Sequence, residues 1–173
     1  MAARSDPGRG RGKGCAGGVS VGHARGSAAV LSELIQIAPE VLAAIEEGHP
    51  VVALETSIVG QGLPAPHNLT AARGCEAAIR EEGGVPATVG VLGGRLRIGL
   101  SDQELELIAA GSVKVSSRDI GPAAAVRTVG ATTVAATVRA ARMAGIRFMA
   151  TGGIGGIHRG HPEDQSADLV EMA

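Results

Sequence analysis

The sequence predicts an α/β domain, a sheet fed by crossover helices. Two observations carry that expectation. From Leu31 onward, short apolar runs of strand length alternate with stretches of helical periodicity, the pattern of strands joined by helices. The junctions between them carry start and stop signals: Pro at a first helical position, Ser or Asn before a helix, Gly after one. At 173 residues and 45% hydrophobic content the chain has material for one ordinary domain, and it contains no internal repeat.

The elements follow in order. Pro39 opens a short helix through Ile45, because its fixed φ suits the first helical turn and its missing N–H costs nothing there. Residues 50–54, PVVAL, read as a buried strand. An amphipathic helix over 68–82 is expected, capped by Asn68 and stopped by Gly83-Gly84. A strand at 87–92 turns through Gly93-Gly94 into Arg95-Leu96-Arg97-Ile98, a hairpin. Ser101-Asp102-Gln103-Glu104 has the spacing of a capping box before a helix through Ala110, and 113–116 is the next strand. A helix over 131–144 should stop at Gly145. A strand at 147–151 then leads into TGGIGGIHRGHPEDQSADL, where Ser166 can cap a last helix.

Composition excludes several function classes. A net charge of −1 supplies no basic field for a nucleic-acid backbone, and with no Trp or Tyr there are no base-stacking platforms. No nucleic-acid partner is expected. Every apolar run is interrupted by Gly, Arg or Glu well short of the ~18 residues of a spanning helix, so no membrane partner is expected either. Cys15 and Cys75 lack C-x-x-C spacing and read as free thiols in a reducing cytoplasm. Residues 1–30 are rich in Gly and Arg without hydrophobic periodicity, which predicts a disordered tail preceding a folded region over 31–173. That density of Gly also opposes the amphipathic helix of a transit peptide.

In such sheets ligands gather beyond the carboxyl ends of strands, and four places qualify. Glu55-Thr56-Ser57 follow PVVAL; Lys114 lies in VKVS with Arg118-Asp119 beyond; Thr132-Thr133 begin a helix; the glycine stretch follows RFMAT. Glu55 is a candidate proton donor, since partial burial raises a carboxyl pKa toward neutrality; a helix-capping or solvated strand-end carboxylate is the structural alternative. Lys114 is the only lysine beyond the tail. A lysine can act as a compact phosphate contact or, deprotonated, in imine chemistry, and a strand lysine reaching solvent is the alternative. The glycine stretch contains no G-x-G-x-x-G, and Gly155 to Gly160 has P-loop spacing but continues with His161-Pro162. A nucleoside triphosphate site is disfavoured. His158, His161, Asp164 and Asp168 are of metal-ligating type, although surface histidines explain H-x-x-H in a Gly-rich loop equally well. Ser166 and Asp168 can cap a helix or help hold an anion at its N-terminus.

Taken together, VVALETSIVGQGLPAPHNL, GGVPATVGVLGGRLRIGLSDQELE, VKVSSRD, GATTVAATV, ATGGIGGIHRG and SADL, in this order, resemble the pseudouridine-5′-phosphate glycosidase family, also described as pseudouridylate synthase or indigoidine synthase A-like. The resemblance runs from about Ile35 to the last residue. It implies a three-layer α/β/α fold, a trimeric assembly, and reversible cleavage of the C–C glycosidic bond of pseudouridine 5′-phosphate to uracil and ribose 5-phosphate. By motif, Glu55 in ALETS corresponds to the proton donor and Lys114 to a substrate contact on the phosphate side. Val134 in GATTV and Ser166, Ala167 and Asp168 in SAD correspond to further substrate-binding positions. Asp164 corresponds to the aspartate that binds manganese (Mn2+).

Departures from the pattern are specific. Gly60-Gln61-Gly62 stands where the family commonly has S-H-G, Ser117-Arg118-Asp119 where it has R-R-D, and the segment between HRG and D-x-S-A-D is shorter. The family's imine-forming lysine lies on the strand after the SADL helix, in a C-A-G-A-K-like motif that neither Lys13 nor Lys114 matches. The expectation is an N-terminal half, truncated at its C-terminus, with little glycosidase activity alone. The alternative is a non-catalytic truncated paralogue that binds phosphosugar or associates with a full-length subunit.

Overall fold

The computed structural model describes residues 33–173; the expected tail over 1–30 lies outside the described residues. Within them, nine strands and six helices follow one another: β1 (Ile35–Ile37), α1 (Pro39–Glu46), β2 (Val51–Leu54), α2 (His67–Glu81), β3 (Val85–Leu92), β4 (Arg95–Ile98), α3 (Asp102–Ala110), β5 (Val113–Val115), α4 (Ile120–Ala125), β6 (Gly130–Thr132), α5 (Val134–Ala144), β7 (Phe148–Ala150), β8 (Ile157–His158), β9 (His161–Gln165) and α6 (Ala167–Met172).

Seven strands form one sheet organised on β3, the longest. The first half of β3 pairs in parallel with β2, with Leu54 opposite Thr88. Its second half pairs antiparallel with β4 across one edge and with β6 across the other, Gly90 opposite Ala131. β7 extends the sheet beyond β2, β5 extends it beyond β6, and β1 lies beyond β4. Along β3 successive side chains face opposite layers. Ala87, Val89 and Val91 enter a core shared with Val41 and Ala44 of α1, Ala123 of α4 and Ala136, Ala140 and Ala141 of α5. A second core gathers Ala72 of α2 with Leu105 and Ile108 of α3. Helices thus cover both faces of the sheet, giving the expected three layers.

Local signals act as their chemistry dictates. Gly93 and Gly94 both take positive φ, 59° and 83°, which a two-residue hairpin turn requires and side chains with a Cβ resist. Ser101 Oγ accepts from the Glu104 N–H while Glu104 returns a carboxylate to the Ser101 N–H, a complete capping box. Ser166 caps α6.

Three expectations need correction. Asn68 does not cap α2, which begins at His67 after Pro66. Asn68 is buried instead, donating Nδ2–H to the Val59 carbonyl at 2.9 Å, so tertiary pairing overrides the capping preference. The helix expected over 131–144 begins only at Val134, with Thr133 as its cap, and Gly130–Thr132 is a strand. Pairing with β3 and β5 decides this: a Cβ on Gly130 would come 2.6 Å from Val115 Cγ2, so the glycine allows β6 to sit against its neighbour. The segment 157–165, read as loop, is a small hairpin of β8 and β9. Sequence periodicity also passes over β1, α4 and a one-turn π-helix at Ile58–Gly62, each too short for a period to register.

Candidate active site

The sheet changes direction at its middle, and the site lies there. β2 and β6 occupy the same edge of β3 but run in opposite senses, so their carboxyl ends meet head-on beside Thr88 and Val89. Their outer neighbours β7 and β5 run parallel to them, respectively. Four strand ends therefore converge, and the chain leaves each of them through one of the four places singled out in the sequence. A topological switch of this kind opens a crevice that no strand fills.

Buried threonines hold the junction. Thr56 and Thr132 each donate a hydroxyl to the Val89 carbonyl at 2.7 Å, and the Thr132 N–H donates to Thr56 Oγ1 at 2.9 Å. Thr137 of α5 donates to Thr132 Oγ1 at 3.0 Å. Both lone pairs of one carbonyl are used, and no hydroxyl in the set is left without an acceptor. Consequently Glu55 and Ser57 on one side, and Thr133 and Val134 on the other, are fixed relative to one another.

The crevice has two adjoining parts. The larger, about 500 Å³, is lined by Lys114, Val134, Ser166, Ala167 and Asp168, together with Ser57, Ser116, Arg118, Asp119, Thr133 and Gly153 to Gly155. The smaller, about 320 Å³, is lined by Glu55, Lys114, Ser57, Gln61 and Gly153 among others. Lys114, Ser57 and Gly153 border both. Six of the seven residues assigned a role by motif thus line one continuous groove, whereas His158 and His161 line neither part.

Their local environments differ. Glu55 Oε2 accepts from the Ser57 hydroxyl at 2.7 Å and the Ile58 N–H at 3.2 Å, so the carboxylate also anchors the turn that follows. The Val134 side chain is buried, and its backbone N–H lies in the first turn of α5, where the helix supplies no acceptor for it. Asp168 is a strut: Oδ1 accepts from the Ala135 N–H and Oδ2 from the Gly155 N–H, both at 2.8 Å, tying the glycine loop to α5. Gly155 admits no side chain, because a Cβ there would lie 2.1 Å from Ser166 Oγ.

Asp164 stands apart. It lies on the exposed β8–β9 hairpin, with Oδ2 2.6 Å from His158 Nδ1, and lines neither part of the groove. Among the described residues no group of three or more His, Cys, Asp or Glu side chains is placed to hold a metal ion. The residues present therefore form no closed metal cage. They fit only an ion that keeps most of its ligands as water. Ser57, Ser116 and Asp119 line the groove without having been assigned a role from sequence; their signal was position, in the short segments that follow β2 and β5.

Comparison with known proteins identifies the family. A family model described as indigoidine synthase A like protein matches residues 40–173. Among curated relatives, a pseudouridine-5′-phosphate glycosidase of Deinococcus radiodurans is 52% identical over 147 residues, 83% of this chain and 47% of the relative. One of Chloroflexus aurantiacus is 53% identical over 144 residues, 80% of this chain and 47% of the relative. The solved structure of the prealnumycin C-glycosynthase AlnA in complex with ribulose 5-phosphate superposes with a TM-score of 0.72 at 42% identity, covering 80% of this chain and 46% of the other. An indigoidine synthase A-like protein of Thermotoga maritima gives a TM-score of 0.72 at 37% identity over the same shares. The chain spans about half the length of the curated relatives it matches. With the family model matching over residues 40–173 and the solved relatives sharing its fold, the chain belongs to the indigoidine synthase A-like family.

Proposed function

We propose that this chain carries the phosphosugar-binding half of a pseudouridine-5′-phosphate glycosidase, acting on pseudouridine 5′-phosphate or, in reverse, on uracil and ribose 5-phosphate. The observation that carries the reading is the convergence of Glu55, Lys114, Val134, Ser166, Ala167 and Asp168 on one groove. The solved relative with ribulose 5-phosphate bound supports a sugar phosphate as the ligand class.

The overall reaction adds water across a carbon–carbon bond: the uracil carbon gains a proton and the anomeric carbon gains the oxygen. Breaking that bond requires an electron reservoir on the sugar, which an imine with a lysine amine provides, and an acid that delivers the proton to uracil. Glu55 fits the acid, since it borders the smaller part of the groove and Ser57 orients its carboxylate. Lys114 borders both parts and serves as a phosphate contact. The Val134 N–H and the start of α6 position the phosphosugar, and Asp168 keeps the glycine loop against α5. A manganese ion belongs to the same reading: Asp164 and water would hold it, as suits a hard cation on oxygen ligands, and it would supply positive charge. Lyase-type chemistry, a homotrimer and a cytoplasmic location complete the reading.

Incubating the chain with ribose 5-phosphate and borohydride, then measuring intact mass, tests the division of labour. The expected result is binding without a borohydride-stable adduct on Lys114. An adduct mapped to Lys114 would make it the nucleophile and overturn its assignment as a phosphate contact.

A second reading, a non-catalytic chain that associates with a full-length subunit, is favoured by one feature. Among the described residues β7 pairs only with β2, and Phe148 on that strand is 61% exposed. An open strand edge with apolar surface invites pairing. Co-elution with a full-length relative, together with restored or altered activity in the mixture, would support it.

A further inference from the structure

We infer that Ser116 is a further ligand for the substrate's phosphate, donating its hydroxyl beside Lys114 and the first turn of α5. The inference rests on the phosphosugar reading above and adds a residue to it. Hydroxyls elsewhere in the buried framework find acceptors: Thr56 and Thr132 on Val89, Thr137 on Thr132, Thr88 on Glu76. Ser116 Oγ differs. It is shielded from solvent at the N-cap of the one-turn 3-10 helix Ser117–Asp119, in a capping-box arrangement with Asp119 but without a side-chain hydrogen bond among the described residues, and its residue lines the larger part of the groove. A native buried polar group left unpaired calls for a partner that the free chain does not supply.

The backbone around it is already fixed. The Ser116 N–H donates to Asp119 Oδ2 at 3.0 Å, its carbonyl accepts from the Asp119 N–H at 2.9 Å, and the preceding Val115 carbonyl accepts from the Thr133 N–H at 2.9 Å. Only the side chain is left to move. A serine has three staggered χ1 wells and a hydroxyl hydrogen that rotates to suit an acceptor, so it can meet a ligand without backbone change.

Charge decides which ligand. The acids lining this part of the groove are engaged by backbone donors: Asp119 by the Ser116 N–H, and Asp168 by the Ala135 and Gly155 N–H groups. Arg118 pairs with Asp119 at 3.8 Å, which leaves Lys114 as the cation without an ion pair among the described residues, and α5, an eleven-residue helix, begins here with its Val134 N–H. Donors and positive charge with the acids spoken for describe an anion site, and a phosphate monoester offers oxygen acceptors enough for a hydroxyl, an ammonium and a backbone N–H together.

The test is calorimetric titration of the unchanged 173-residue chain, of Ser116→Ala and of Ser116→Cys, each with ribose 5-phosphate and with inorganic phosphate, alongside thermal melts. Both substitutions should weaken both ligands at least about tenfold, the factor for one hydrogen bond to a charged group, while the melting temperature stays level or rises because no native bond is lost. Equal affinity of the variants and the unchanged chain for ribose 5-phosphate would overturn the role of Ser116 and leave the phosphosugar reading standing. Binding of inorganic phosphate but not of ribose 5-phosphate, weakened by both variants, would support the Ser116 role and overturn the sugar reading. If the unchanged chain binds neither ligand, both fail.

Discussion

Thr56 and Thr132 share a single acceptor, the Val89 carbonyl, each at 2.7 Å, although they end two strands that run in opposite directions. This pair joins the halves of the sheet where the groove opens. Replacing Thr56 with Val keeps the shape but removes the acceptor for the Thr132 N–H, leaving a buried donor unpaired. The expected cost is about 1–3 kcal/mol, read from the shift in a urea unfolding curve at unchanged slope. A smaller loss than for Ser116→Ala would contradict the view that the threonines, and not Ser116, hold the framework.

Gly155→Ala addresses the link between the glycine loop and α5. The new methyl would meet Ser166 Oγ at 2.1 Å and Ser166 Cβ at 2.6 Å, contacts that only a shift of loop or helix relieves. The Asp168 bridge to the Gly155 N–H should break, so affinity for ribose 5-phosphate should fall by more than about tenfold, the scale of losing one charge-assisted bond. Heat stability should change little, since the loop and α6 contribute no residue to either buried core. Unchanged affinity would show that the loop does not shape the site.

Much of this arrangement was legible in the sequence. Four polar clusters after four apolar runs marked the groove, because a strand end is detectable one segment at a time. What joined them was not legible. That Thr132 closes a strand instead of opening a helix depends on its hydroxyl bond to the Val89 carbonyl and its pairing with Val115, partners far along the chain. Asn68 likewise carries a capping residue's signature and spends it on the Val59 carbonyl. Asp164 was named by motif, and position in a motif says nothing of whether other ligands come near it.

The ion pair between Glu40 and Arg80 ties the first turn of α1 to the last turn of α2, with Arg80 Nη2 3.0 Å from Glu40 Oε2. The hydrogen bonds from Arg80 hold the Glu40 carboxyl below its ordinary range. A carboxyl lowered in the folded state stabilises the fold at pH above its unfolded value and loses that contribution as the pH falls through the folded one. Both side chains are half exposed, which limits the contribution to roughly 0.2–1 kcal/mol after screening by solvent. Glu40→Gln should therefore lower stability slightly at neutral pH, and the difference from the unchanged chain should vanish below the ordinary carboxylate range and shrink in high salt. A difference that persists in acid would contradict the ion-pair account.

Manganese binding can be read without any activity. Titrating Mn2+ should broaden the amide signals of the β8–β9 hairpin through paramagnetic relaxation, weakly, since its metal-ligating side chains stand as two separate pairs, His158 with Asp164 and His161 with Glu163, and no three of them converge. Asp164→Ala should abolish the broadening there. Broadening that survives the substitution would remove Asp164 from the proposal.

The central claim, that the meeting point of four strand ends is a phosphosugar site, is tested most directly by mapping ribose 5-phosphate onto the backbone amide spectrum of the chain. The account predicts saturable shifts concentrated at Ser57, Lys114, Ser116, Val134 and Gly155. Shifts confined instead to the cavity at the other end of β2 and β7, around His49 and Arg147, or no saturable shifts at millimolar ligand, would contradict it.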